Sequence, residues 1–142
     1  MQTKDFTYSF KTIKTPTEVF DILIDIKQWW YGLYNETIKG SSRRAGDVFT
    51  FDAGDGAHYS KQQVVELVPG RRIVWQVTES KLSFLQHPAE WNQSRIGFEL
   101  TPEGTQTLVV FTHEGLQPQL ECYGACSSAW TGYLDKLKQK LN

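Results

Sequence analysis

The chain has 142 residues and a formal net charge of −1, with 39% hydrophobic and 22% charged residues. So even a charge balance offers no concentrated basic surface for phosphates, which excludes nucleic acid as the expected partner. No apolar run approaches the roughly 20 residues needed to span a bilayer as a helix. A chain of this size buries roughly two-thirds of its unfolded surface and needs no disulfide or metal staple, so residues 1–142 are expected to form one domain. The distinctive figure is the aromatic share of 13%, made of five Trp, six Tyr and eight Phe. Rings of this kind either fill a core or line an apolar pocket.

The opening Met1-Gln2-Thr3-Lys4-Asp5 lacks the apolar stretch of a signal peptide, which makes a cytoplasmic setting the expectation. From Asp5 to Ile13, Phe6, Tyr8 and Phe10 alternate with polar residues, the period of a half-buried strand. Thr15-Pro16-Thr17-Glu18 supplies a capping residue, a proline at the first helical position and the second half of a capping box. A short helical region running to about Lys27 follows, with Val19, Phe20, Leu23 and Ile26 facing inward, and Trp29-Trp30 closes it.

Strands then succeed one another. Gly46 to Asp52 carries Phe49 and Phe51 on one face, and Ala53-Gly54-Asp55-Gly56 reads as a hairpin turn that needs positive φ. His58 to Val68 is the return strand, and Arg72 to Glu79 sets Ile73, Trp75 and Val77 on one face. Lys81 to Glu90 reads as a loop or a short edge strand. Trp91 to Leu100 and Leu108 to Phe111 complete the series, the latter ending in Thr112-His113-Glu114-Gly115-Leu116. From there a long helix runs to the C-terminus, with Leu120, Tyr123, Ser127, Trp130, Leu134, Leu137 and Leu141 in steps of three and four. The order predicts an α+β fold: a curved antiparallel sheet of six or seven strands wrapped around a long C-terminal helix.

Cys122 and Cys126 are spaced i,i+4 on that helix. A bridge across one turn constrains little, so they read as two small thiols beside the core stripe. No second His follows His113-Glu114 at helical spacing, so no zincin-type motif exists, and no cofactor or metal site is expected.

The motifs Thr15-Pro16-Thr17-Glu18-Val19-Phe20-Asp21, Trp29-Trp30, Gly46-Asp47-Val48-Phe49, Phe98 to Thr105, and Thr112 to Leu116 before a Trp-bearing helix together resemble one family. They are similar to the helix-grip fold of the START-like (SRPBCC) superfamily, and within it to small bacterial relatives of the activator of the heat-shock chaperone ATPase (AHSA type). The resemblance covers essentially the whole chain. It implies a cavity between the terminal helix and the sheet that holds a small hydrophobic or lipid-like molecule. It does not imply a shared reaction.

The residues expected to line such a cavity are Trp30, Phe49, Phe51, Tyr59, Trp75, Trp91, Phe98, Phe111, His113 and Trp130, the inward set if the strand faces are assigned correctly. His113 is the weak catalytic candidate, since it shares a face with Phe111 and Val109, although an inward His is more often a satisfied core residue. His58 and His87 read as surface residues near turns. Binding without catalysis is the leading expectation. The alternatives are a cyclase or hydrolase using His113 as acid-base with Tyr59 or Tyr123 assisting, and an interaction protein acting on a chaperone. Association into a homodimer is left open by the sequence.

Overall fold

Seven antiparallel strands form one sheet in the order β1-β7-β6-β5-β4-β3-β2, in a computed structural model that describes residues 5–142. Met1 to Lys4, part of the N-terminal stretch read above for targeting, lie outside the described residues. The strands are β1 (Phe6–Thr12), β2 (Thr37–Gly40), β3 (Val48–Ala53), β4 (His58–Val68), β5 (Arg72–Leu82), β6 (Arg95–Glu103) and β7 (Gln106–Glu114). Between β1 and β2 lie α1 (Pro16–Leu23) and a 3-10 turn, Ile26–Gln28, and the chain ends in α2 (Tyr123–Leu141). This is the helix-grip arrangement: β1 returns to pair with β7, and α2 lies against the inner face, with Trp130 packed on Phe111, Trp91 and Trp30. Among the described residues no helix is long and apolar enough to cross a membrane.

Local chemistry explains most element ends. Thr15 accepts from Glu18 N while Glu18 Oε1 accepts from Thr15 N, the complete capping box, with Pro16 at the first helical position. The helix stops at Leu23, earlier than Lys27, because Asp25 takes an extended conformation (φ −105°, ψ 90°) and the chain re-forms only as the 3-10 turn. In the β3–β4 hairpin Gly54 and Gly56 have φ of +63° and +91°, which glycine adopts without steric cost. Gly97 serves a different purpose, since a Cβ there would come within 2.8 Å of the Ile73 carbonyl oxygen on β5.

Three strands differ from the sequence expectation. β2 has four residues paired only with β3 and mostly exposed, so it carries too little alternation to be seen. β5 runs on to Leu82 through a bulge at Thr78, because Lys61 pairs with Glu79 and Gln62 with Val77. The extra residue switches the buried face from Ile73, Trp75 and Val77 to Ser80 and Leu82. β6 begins at Arg95, not at Trp91, since the chain turns at Gln93 with φ +69°. In α2 the buried stripe is Cys126, Trp130, Tyr133, Leu134, Leu137 and Leu141, while Ser127 is only half-buried and Leu120 precedes the helix.

The two ends of the chain are also joined, with Thr12 Oγ1 donating to the Leu141 carbonyl at 2.7 Å inside the core. Thr15→Ala removes the side-chain half of the capping box and is expected to lower unfolding free energy by about 1 kcal/mol in urea denaturation. An unchanged midpoint would show that α1 is held by packing alone.

Candidate functional site

The helix–sheet interface is solid toward the C-terminal half of α2 and hollow toward its N-terminal half. In the solid part Trp75 packs on Trp29, Phe98 and Phe49 at centroid distances of 6.2, 6.0 and 6.0 Å, and Phe98 meets Phe111 at 5.1 Å. Trp29 donates its Nε1–H to the Leu23 carbonyl. These rings are in mutual contact, and Leu134, Leu137 and Leu141 are buried along the far end of the helix.

His113 stands at the boundary and is fully buried. Trp130 Nε1–H donates to His113 Nδ1 at 3.1 Å, so Nδ1 is the acceptor and the proton of the neutral ring belongs on Nε2. Nε2 lies 2.9 Å from Ser94 Oγ, whose hydroxyl donates to the Trp91 carbonyl at 2.6 Å. Burial, reinforced by the nearby His58, pushes the His113 pKa down to about 3. The ring is therefore neutral with both nitrogens engaged, and neither Tyr59 nor Tyr123 is among its hydrogen-bond partners. That is the geometry of a structural histidine that orients an indole.

The hollow is a cavity of about 220 Å³. Phe51 and Ala53 of β3, Ala57 and His58 at the hairpin, Trp30, Trp91, and Ala125, Cys126, Ala129, Trp130 and Tyr133 of α2 line it. It opens to solvent between Tyr34 and Phe84, which are 48% and 49% exposed. Its origin is a size step along the helix: Ala125 and Ala129, one turn apart, offer methyl groups where the next turn offers Tyr133. The one basic group on the wall, His58, is held neutral because burial lowers its pKa to about 4, outweighing the opposing pulls of the backbone and of Asp52.

Carboxylates fasten both sides of the mouth. Glu36 accepts from the backbone N–H of Gly32, Leu33 and Tyr34 and from the Tyr133 hydroxyl at 2.5 Å, tying the segment that carries Tyr34 to α2. Burial opposes ionisation of Glu36, but the Tyr133 and backbone donors outweigh it and hold the carboxyl below its usual range. Burial and the Glu36 bond push the Tyr133 hydroxyl far up. Across the mouth, Glu121 accepts from Gln86 N and His87 N, while Glu90 accepts from Glu121 N and Cys122 N. The Cys122 and Cys126 sulfurs are joined, contrary to the reading as free thiols. One helical turn brings their Cα atoms to 5.5 Å, within the 4.4–6.8 Å that a disulfide spans.

Of the residues expected to line a cavity, Trp30, Phe51, Trp91 and Trp130 are on this wall. Phe49, Trp75, Phe98 and Phe111 belong to the solid half, and His113 sits behind Trp91 and Trp130. Tyr59 is on the outer face of β4, because the inward phase of that strand is His58, Ser60, Gln62 and Val64. His58, read as a surface residue, is instead largely enclosed, packed edge-on to Trp91 at 4.6 Å and to Phe51 at 5.9 Å. Tyr133 and the two alanines were missed, although small residues on an otherwise apolar helix face are a visible cue. Gly124 opens to nothing within 4 Å, and Gly132 is approached by Leu33, so neither glycine makes the hollow.

The family model described as Activator of Hsp90 ATPase homolog 1-like protein matches residues 14–142. The chain belongs to this family. Solved structures support the same fold for the AHSA1-like chain. The Aha1 dimer of Colwellia psychrerythraea is similar with a TM-score of 0.73 at 21% identity, covering 97% of this chain and 96% of that one. A protein of Chromobacterium violaceum has a TM-score of 0.69 at 18% identity, covering 97% of both chains. One of Mesorhizobium loti has a TM-score of 0.69 at 22% identity, covering 94% and 95%. No curated protein matches the chain.

The two enclosed histidines make stability depend on pH. Their folded pKa values, about 4 for His58 and about 3 for His113, lie below the ordinary 6.5. The unfolded chain therefore takes up protons first as pH falls below 6.5, and stability present above that pH is lost on the way down to about 4 and about 3. Between pH 7 and pH 5 each histidine accounts for about 2 kcal/mol of that loss. His113→Gln is expected to lose about 2 kcal/mol less than wild type over this interval in urea titrations. Parallel pH profiles for the two proteins would contradict a neutral buried His113.

Proposed function

We propose that this AHSA1-like chain is a binding module of one domain, residues 1–142, that holds a small hydrophobic molecule beneath the N-terminal half of α2. The observation that carries the reading is the cavity itself. A packed aromatic core has no need of an open hollow of about 220 Å³, because interiors normally fill to crystal-like density. The wall is apolar and rigidly anchored, through Trp130 to His113 and through Tyr133 to Glu36, which limits the ordering cost of binding. Catalysis is not part of the reading, since His113, the histidine considered as acid-base, is neutral with both nitrogens engaged and stands behind the wall. The family's description raises interaction with a chaperone, but no observation on this chain favours it over the pocket.

A second reading, self-association, draws on the Colwellia neighbour being a dimer and on the exposed Tyr31, Leu33, Tyr34 and Phe84 beside the mouth. Light scattering across a concentration series tests it, and a monomer mass throughout would end it.

An uncharged naphthylamine dye, bright only in apolar surroundings, tests the binding reading. Wild type is expected to enhance its fluorescence saturably. Ala129→Trp, which fills the hollow, is expected to weaken binding at least tenfold, a loss of about 1.4 kcal/mol or more, with an unchanged or raised melting temperature. Equal dye binding by the two proteins would place the dye elsewhere and refute the site.

A further inference from the structure

We propose that the pocket selects an uncharged aromatic molecule of one or two fused rings, in preference to an acyl chain or an organic acid. The inference rests on the binding reading above and narrows it by size, shape and charge.

Size comes first. An engineered cavity of about 150 Å³ accepts benzene, and sites for drug-sized ligands start at about 300 Å³. At about 220 Å³ this hollow lies between the two, which suits a guest somewhat larger than one ring. A long acyl chain or a sterol would have to leave much of its length outside.

Shape points the same way. Trp91 and Trp130 lie within 7° of parallel, and Trp30 and Trp130 within 27°. Three indoles on the wall thus share one approximate orientation, and a flat guest aligned with them keeps offset-stacked or edge contacts with each. A flexible chain would instead lose rotamer freedom in the same space without gaining ring contacts.

Charge then excludes acids. His58 is neutral, and among the described residues the mouth carries carboxylates on both sides. Glu36 holds one flank and Asp55, bonded to Asn35, lies in the hairpin beside lining residues Gly54 and Ala57. Glu90 and Glu121 hold the other flank. Lys136, the cation near this mouth, is engaged with the Tyr31 carbonyl and ring. An anionic guest would meet like charges on entry and find no cation inside, where an unpaired ion is costly. The polar capacity left on the wall is that of neutral rings: Trp30 Nε1, His58 Nδ1 and Trp91 Nε1 have no partner among the described residues. One hydroxyl or carbonyl on the guest matches that capacity.

The test compares naphthol, naphthoate and decanol by isothermal titration at neutral pH, on wild type and Ala129→Trp. Naphthol is expected to bind wild type at least tenfold tighter than either of the others, and to lose that binding in Ala129→Trp. Naphthoate or decanol binding as tightly as naphthol, and lost in Ala129→Trp, would overturn the ligand class while leaving the pocket reading intact. Binding of the naphthylamine dye without binding of naphthol would overturn the size limit alone. Failure of all three compounds and the dye, or naphthol binding untouched by Ala129→Trp, would overturn both.

Discussion

A hydrogen bond from Trp130 Nε1–H on α2 to His113 Nδ1 on β7 joins helix to sheet at the line between packed and hollow core. Its geometry forces the rest. With Nδ1 accepting, the histidine proton sits on Nε2 and is donated in a hydrogen bond to Ser94 Oγ, which in turn donates to the Trp91 carbonyl. One indole on the pocket wall, that of Trp130, is therefore oriented by the buried imidazole, and the backbone of Trp91 is tied to the same group through Ser94. A charged His113 could not accept from Trp130, so the low pKa is a condition of the wall's shape.

From that line the two halves diverge by side-chain volume. Toward the C-terminus of α2, Leu134, Leu137 and Leu141 are fully buried in the core with the sheet's aromatics. Toward the N-terminus, Ala125 and Ala129 offer only methyl groups, and two carboxylate ties hold the segments around the hollow in place. Glu36 fixes the segment before β2, and Glu90 with Glu121 fixes the one after β5. Each tie uses backbone N–H groups that would otherwise lack partners, so the mouth is held at little expense in exposed polar groups.

Much of the fold was legible because its signals are local. Capping at Thr15, positive φ in the hairpin and the apolar step along α2 need only neighbouring residues. The site was legible in part. Strand alternation places Phe51 and helical spacing places Trp130 in the interior, but neither pattern can tell which interior residues touch one another and which face a void. His113 illustrates the limit: its inward phase is readable, whereas its partners Ser94 and Trp130 come from other elements. Tyr59 and His58 exchange roles for a simpler reason, since β4 starts its inward phase at His58, and one residue of register decides which faces the helix. The bulge at Thr78 resets the phase of β5 in the same way and has no signature in composition.

The central claim is that the hollow is confined to one end of the helix–sheet interface. Benzene titration followed by methyl NMR measures this directly. Shifts at Ala53, Ala57, Ala125 and Ala129, with Ile73, Leu100 and Leu137 unmoved, are the predicted result. Perturbation spread across the far leucines and Ile73, or no saturable shift at the four alanines, would contradict it.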